Sequence, residues 1–449
     1  MKTNFRNLFK DIYISTNSRS NAKEPNLLKQ GLVREDGMLN FLPSGPQEEY
    51  FIQHQIRPIF GKTGINKTPI GTHPDFIELE GAYGVTKSQY ICTLFLDIKG
   101  STKLSLLYPL EDVYQFKNAV IKSCIETVRS LDGHVHRIMG DSVMAFFGGK
   151  DVDKENAIAD AMNCIVTLRA ILEESIKPWM RENGFENNHF GFRIGCEFGD
   201  DHEVLWGGFG YQNVGEISVT GFPVDMASKL QGLAGKNEAM LGQRLLDFVD
   251  WPDKYLEVKE IVKEGNTELL PTVIPNLTNS NDQPINYKMR QLLYKKSLRF
   301  SALPIKFRKQ ISGSQVVDHA AIEYKCFAIK NNISSEYISA SKFLSKNVSL
   351  VFKVRSATTH SLFFPLKAVF TKTNHGIETP ADERGIEQEG RVRFIYNRST
   401  NIYHRAPPIF VKAELEEITS YRGLHTMKCE VFDAEKKLLF RDWIGVLIK

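Results

Sequence analysis

Between residues 89 and 250 the chain alternates two hydrophobic rhythms. "QYICTLFLDI" (89–98) is a short, nearly continuous apolar run, the pattern of a buried strand. "LEDVYQFKNAVIKSCIETVRSL" (110–131) repeats its apolar residues at three- and four-residue intervals, which predicts a helix ending at Asp132-Gly133. "HVHRIM" (134–139) and "SVMAFFG" (142–148), joined by Gly140-Asp141, predict a hairpin. A second helical pattern covers 155–184, and "HFGFRIGCEFG" (189–199) returns to strand spacing. The order β-α-β-β-α-β is that of a ferredoxin-like domain. "EVLWGGFG" (203–210), "GEISVTG" (215–221) and "PVDMASKLQGLAG" (223–235) append a hairpin and a helix.

The flanks read differently. Residues 1–88 are rich in turn formers and are expected to be an irregular region wrapping a neighbour, before a core domain at 89–251. Residues 252–309 are expected to connect, ending in "KMRQLLYKKSLRFSALPIKFRK" (288–309), with eight basic residues and no acid. Such a run predicts a solvated basic face, or alternatively a contact with a polyanion or membrane surface. From 310 to 449 β-branched and aromatic residues alternate with polar ones between Gly, Asn and Pro turns, the pattern of an antiparallel β-sandwich. The fold class expected is therefore α+β.

Composition changes this picture little. A chain of 449 residues exceeds one average core, and a net charge of +4 gives no argument for nucleic acid. Neither a run of about 18 apolar residues nor a signal-peptide core is present, so no membrane partner is expected. The six cysteines are scattered, without a C-x-x-C pair, as buried free thiols in a reducing cytoplasm would be.

Two carboxylates stand out. Asp97 closes an apolar strand on the same face as Phe95, and Asp141 sits between apolar flanks in the hairpin turn. An ionised carboxylate in such a place is costly unless a cation or strong donors meet it. Paired, they could share divalent ions of the hard kind that bind one or two carboxylates plus substrate phosphates. Ile98 to Thr102 then offers backbone N–H groups, with Gly100 permitting close approach to an anion. For either Asp alone, a turn or capping role is the plainer reading.

Four stretches carry a resemblance: "FLDIKGST" (95–102), "HRIMGDSVMAFFG" (136–148), "FRIGCEFG" (192–199) and "SVTGFPVDMASKL" (218–230). Together they resemble the successive motifs of class III nucleotide cyclases. The resemblance implies a head-to-tail homodimer with its sites at the interface, and two Mn²⁺ or Mg²⁺ ions held by Asp97, Asp141 and the carbonyl of Ile98. It implies that Arg193 binds the triphosphate, with Phe95, Lys99, Gly100, Ser101, Thr102 and Gly140 as further substrate contacts. The 3′-hydroxyl would attack the α-phosphorus and release pyrophosphate.

The chain departs from the family's pattern in two places. Where Asn-x-x-x-Arg is usual on the last helix it has Asp225 and Lys229; lysine keeps the charge but loses the bidentate fork. Asp225 could pair with Lys229 or with a ribose hydroxyl. At the base-selecting positions stand Arg137 and Ser218. A guanidinium only donates and matches the adjacent acceptors O2 and N3 of cytosine, while uracil offers two carbonyls around an N–H. Alternatively Arg137 pairs with a nearby carboxylate.

These substitutions resemble the pyrimidine cyclases of bacterial anti-phage (Pycsar) systems, which implies CTP, or UTP, as substrate. The C-terminal stretch resembles the sensor domain behind bacterial cyclases, with Asn374, Gly376, Arg384, Gly385, Tyr421, Gly423 and His425 at recurrent positions; a small ligand or phage-derived trigger is the partner this implies. Competing readings are an adenylate or guanylate cyclase with an atypical pocket, and a non-catalytic nucleotide sensor.

Overall fold

The computed structural model describes residues 5–17, 50–82, 84–211, 214–311, 313–357, 362–397 and 410–449. The domain that begins near residue 89 is an α+β unit. Strand β1 (Ile91–Lys99) leads through helix α1 (Leu110–Ser130) to β2 (His134–Met139) and β3 (Ser142–Phe147). Helix α2 (Lys154–Ile171) leads to β4 (Gly191–Gly199), and β5 (Leu205–Tyr211) and β6 (Val214–Thr220) form a second hairpin. Helix α3 (Phe222–Leu233) and β7 (Glu238–Gly242) follow. The sheet runs β2-β3-β1-β4-β7, antiparallel except between β4 and β7, which is the ferredoxin-like order expected from the pattern.

Alternation along β1 divides its side chains between two faces. Cys92, Leu94, Leu96 and Ile98 join the large core beneath α1 and α2, while Phe95 packs on a second cluster with Met144, Phe146 and Trp206. Asp97 therefore emerges on the face opposite the two long helices.

Two readings of the flanks are corrected. Residues 5–17 form a helix rather than an irregular segment, because Phe5, Leu8, Phe9 and Ile12 share one face and bury it in the main core, with Phe9 edge-on to Phe116 and Trp179. The turn-rich stretch 18–49 lies outside the described residues. The connector is not a linker: Met289–Leu292 pairs antiparallel with β7, and Leu256–Glu257 pairs with it in turn, so the sheet continues past residue 251. The basic run does carry a solvated face, since Lys288, Lys295, Lys296, Lys306 and Lys309 are exposed, while Leu292, Leu298, Phe300, Leu303 and Phe307 between them are buried in the core.

The C-terminal part is a sandwich of a four-stranded and a five-stranded sheet over one apolar core. It is clamped to the connector by Arg308, 5% exposed, which meets both carboxylate oxygens of Asp442 at 2.7 and 2.9 Å. Arg308→Ala would leave that carboxylate buried without a cation, an expected loss of about 3–5 kcal/mol. Urea unfolding of the two proteins checks this; coincident midpoints would show that the clamp is dispensable.

Candidate active site

The hairpin tip brings the two carboxylates together. Asp97 is the Cα partner of Ser142 on one side and of Arg193 on the other, and Asp141 is the residue before Ser142. Gly140 turns the corner at φ +66°, which suits the first central position of a two-residue hairpin turn. Asp97 is only 8% exposed, and its charge is met from both flanks: Ser142 donates to Oδ1 at 2.6 Å, and the Arg193 guanidinium donates twice to Oδ2, from Nε at 2.8 Å and from Nη2. Asp141, half-buried, accepts from the Ser101 hydroxyl.

Gly100 is required where it stands. Its φ is +90°, and a Cβ there would lie 2.5 Å from the His189 carbonyl oxygen. That close approach starts the helix Ser101–Leu107, sets Ser101 beneath Asp141 and leaves Lys99 and Thr102 exposed. Ser101 is thus committed to the second carboxylate, which narrows the expected anion cradle.

Arg137 and Ser218 form a separate group. A bulge in β2 between Val135 and Arg137 makes His136 the extra residue. His136 Nδ1 lies 2.9 Å from the Gly71 carbonyl and Nε2 lies 3.0 Å from the Ser218 hydroxyl. Burial holds His136 below its ordinary value, so the ring is neutral near pH 7. A carbonyl only accepts, so the ring proton sits on Nδ1, and Nε2 must accept from Ser218. Arg137 is ion-paired with Glu216, the carboxylate partner weighed above.

Asp225 and Lys229 stand apart. Val224, Ala227 and Leu230 of α3 are buried, while Asp225 and Lys229 are exposed, and no ion pair joins them. The helix rests on Gly195, where a Cβ would fall 2.2 Å from the Gln231 nitrogen and 2.3 Å from the Ala227 oxygen. Sequence reasoning passed over Gly195, Ser142, His136 and Glu216. A glycine inside a strand was the available signal for the first; for the others only adjacency to Asp141, Arg137 and Ser218 could have pointed to them.

Most of the recurrent C-terminal residues build a junction. Asp250 accepts from the Ile377 N–H at 2.5 Å, Arg422 donates to the Phe248 carbonyl, and Arg384 ties down the carbonyls of Ile377 and Thr379. A Cβ on Gly376 would lie 2.4 Å from the Arg422 oxygen. His425 accepts from the His375 N–H and donates to the Tyr421 carbonyl, so burial keeps both rings neutral, His375 pushed down to about 3. Asn374, Tyr421 and His425 also line a small cleft with Lys372 and Glu417.

Sheet order, carboxylate pair and trailing helix are those of a class III nucleotide cyclase. The "Adenylyl/Guanylyl and SMODS C-terminal sensor domain" family matches residues 290–449. A cytidylate cyclase of Escherichia coli is 43% identical over 407 residues, 89% of this chain and 88% of that protein. One from Staphylococcus aureus is 33% identical over 94% of this chain and 91% of its own length. The chain belongs to the cytidylate cyclase family. Among solved structures, an adenylyl cyclase from P. aeruginosa is 17% identical, covering 46% of this chain and 95% of its own, with a TM-score of 0.37.

Gly195→Ala is expected to lift α3 and cost about 1–3 kcal/mol. Gly232→Ala on the same helix, with nothing within 4 Å of the new methyl, should be neutral or stabilising. Equal midpoints for the two variants in urea would show that α3 does not need the close approach.

Proposed function

We propose that this protein is a homodimeric pyrimidine nucleotide cyclase that converts CTP, in preference to UTP, to the 3′,5′-cyclic monophosphate and pyrophosphate, and that the product is a signal in anti-phage defence. The observation that carries the reading is the placement of Asp97, Asp141 and Arg193 at one end of the sheet. Family membership supports the substrate.

The donor set fits a hard cation. Two carboxylates and the carbonyl of Ile98 offer oxygen only, and among the described residues no group of three or more His, Cys, Asp or Glu could form an all-protein cage. Mg²⁺ or Mn²⁺ held there would supply charge neutralisation and a lowered hydroxyl pKa. The Arg193 guanidinium, which lies at the same end of the sheet, meets the triphosphate oxygens with its fork. The 3′-oxygen bonds to the α-phosphorus, the bond to the bridging oxygen breaks, and pyrophosphate leaves with its charge; the hydroxyl proton passes to solvent.

A second copy completes the site. No hydrogen bond or ion pair joins Lys229 or Asp225 to Asp97, Asp141 or Arg193 of their own chain, and Leu106, Leu110 and Tyr211 leave large apolar side chains exposed, at 83%, 75% and 86%. From the partner, Lys229 stabilises the charge developing on phosphorus, Asp225 accepts from a ribose hydroxyl, and Arg137 reads the base. The cleft at Lys372, Asn374 and Tyr421 is the place for a small ligand or phage-derived trigger, next to the junction that joins the two domains.

Incubation with each of four nucleoside triphosphates and Mn²⁺, followed by mass analysis, is expected to give cyclic CMP as the main product and none from Asp97→Asn. Cyclic AMP or GMP as the main product would overturn the pyrimidine reading; no cyclic product from an intact dimer would overturn the enzyme reading.

A further inference from the structure

The residues around Arg137 have a polarity that no family resemblance assigns. Arg137 Nη2 meets Glu216 Oε1, and the two side chains are 39% and 47% exposed, so both remain accessible to a ligand. A carboxylate has about four lone-pair sites on two oxygens, so this contact leaves Oε2 free to accept another donor. The guanidinium keeps Nε and Nη1 for acceptors of its own. Glu216 also lines a cleft of about 490 Å³ between the β5–β6 hairpin and the segment around Glu80 to Gly84, so one side of it faces open space.

Ser218, two residues along β6, points to the same face of its strand as Glu216, because Ile217 between them is buried in the opposite cluster. Its hydroxyl proton is spent on His136 Nε2, whose tautomer is fixed by Gly71. What Ser218 presents beyond that bond is an oxygen lone pair only. The face therefore offers one donor group, Arg137, beside two acceptors.

We propose that Glu216 and the His136-locked oxygen of Ser218 are the acceptors that read the exocyclic amino group of cytosine, while Arg137 donates to N3 and O2. Cytosine presents an N–H₂ donor at C4 where uracil presents a carbonyl oxygen. A uracil placed there sets its oxygen against a carboxylate, which excludes it by repulsion as well as by a missing bond. Glu216 thus decides between the two pyrimidines, and His136 is a positioning residue that denies Ser218 the option of donating to uracil. The inference rests on the reading of this face as the base pocket of a pyrimidine cyclase.

The test is equilibrium binding of α,β-methylene-CTP and α,β-methylene-UTP, which need no turnover, alongside kcat/KM for CTP and UTP. Wild type is expected to favour the cytosine analogue. Glu216→Gln can donate to the uracil oxygen, and the preference should fall about tenfold or more, the worth of one charge-assisted hydrogen bond. His136→Phe frees the Ser218 hydroxyl to rotate and should shift the ratio the same way; Glu216→Gln, at an exposed position, keeps the test valid if that variant fails to fold. Equal weakening of both analogues in Glu216→Gln, with the ratio unmoved, would show that Glu216 only props Arg137 and would overturn the proposal, as would a wild type that binds both alike. Selective binding without any cyclic product would leave the base reading standing and overturn the enzyme reading instead.

Discussion

A carboxylate at the end of a buried strand is the constraint on which the rest of this site depends. Asp97 is only 8% exposed, and the fold surrounds its carboxylate with Ser142 on one strand and Arg193 on the other. The partnership is tied to the sheet register, because a slip of one residue between the two strands would put Asp97 and Arg193 on opposite faces.

The C-terminal sandwich is built into the catalytic unit rather than tethered to it. Strand Met289–Leu292 lies in the catalytic sheet, the helical turns after it lie in the catalytic core, and Arg308 reaches into the sandwich to meet Asp442. The Asn374–Ile377 loop closes the other side through Asp250. The sandwich is thus attached at two places to the domain whose sheet carries Asp97.

Much of this was legible in the sequence. The β-α-β-β-α-β order followed from periodicity, and the two carboxylates from their isolation within apolar runs. The N-terminal helix was missed although Phe5, Leu8, Phe9 and Ile12 carry helical spacing, because the turn formers that follow dominate the window. In the basic segment the charges were legible as a solvated face, but the interleaved leucines and phenylalanines that fix it to the core were passed over; lysine and arginine stems run along apolar surface while their heads stay wet. Glu216 and His136 were invisible as partners, since the contacts that give them meaning cross from β2 to β6 and no local spacing records them. Arg137 stood out in the sequence, but its carboxylate partner, Glu216, could be found only in three dimensions.

The central claim is that one chain holds the metal-side half of the site and its neighbour the Lys229 half. Mixing inactive Asp97→Ala chains with inactive Lys229→Ala chains tests it directly. The account predicts restored cyclisation, approaching one competent site in each heterodimer, with cyclic CMP as the product. Heterodimers that form, as shown by differential tagging, and yet stay inactive would contradict it.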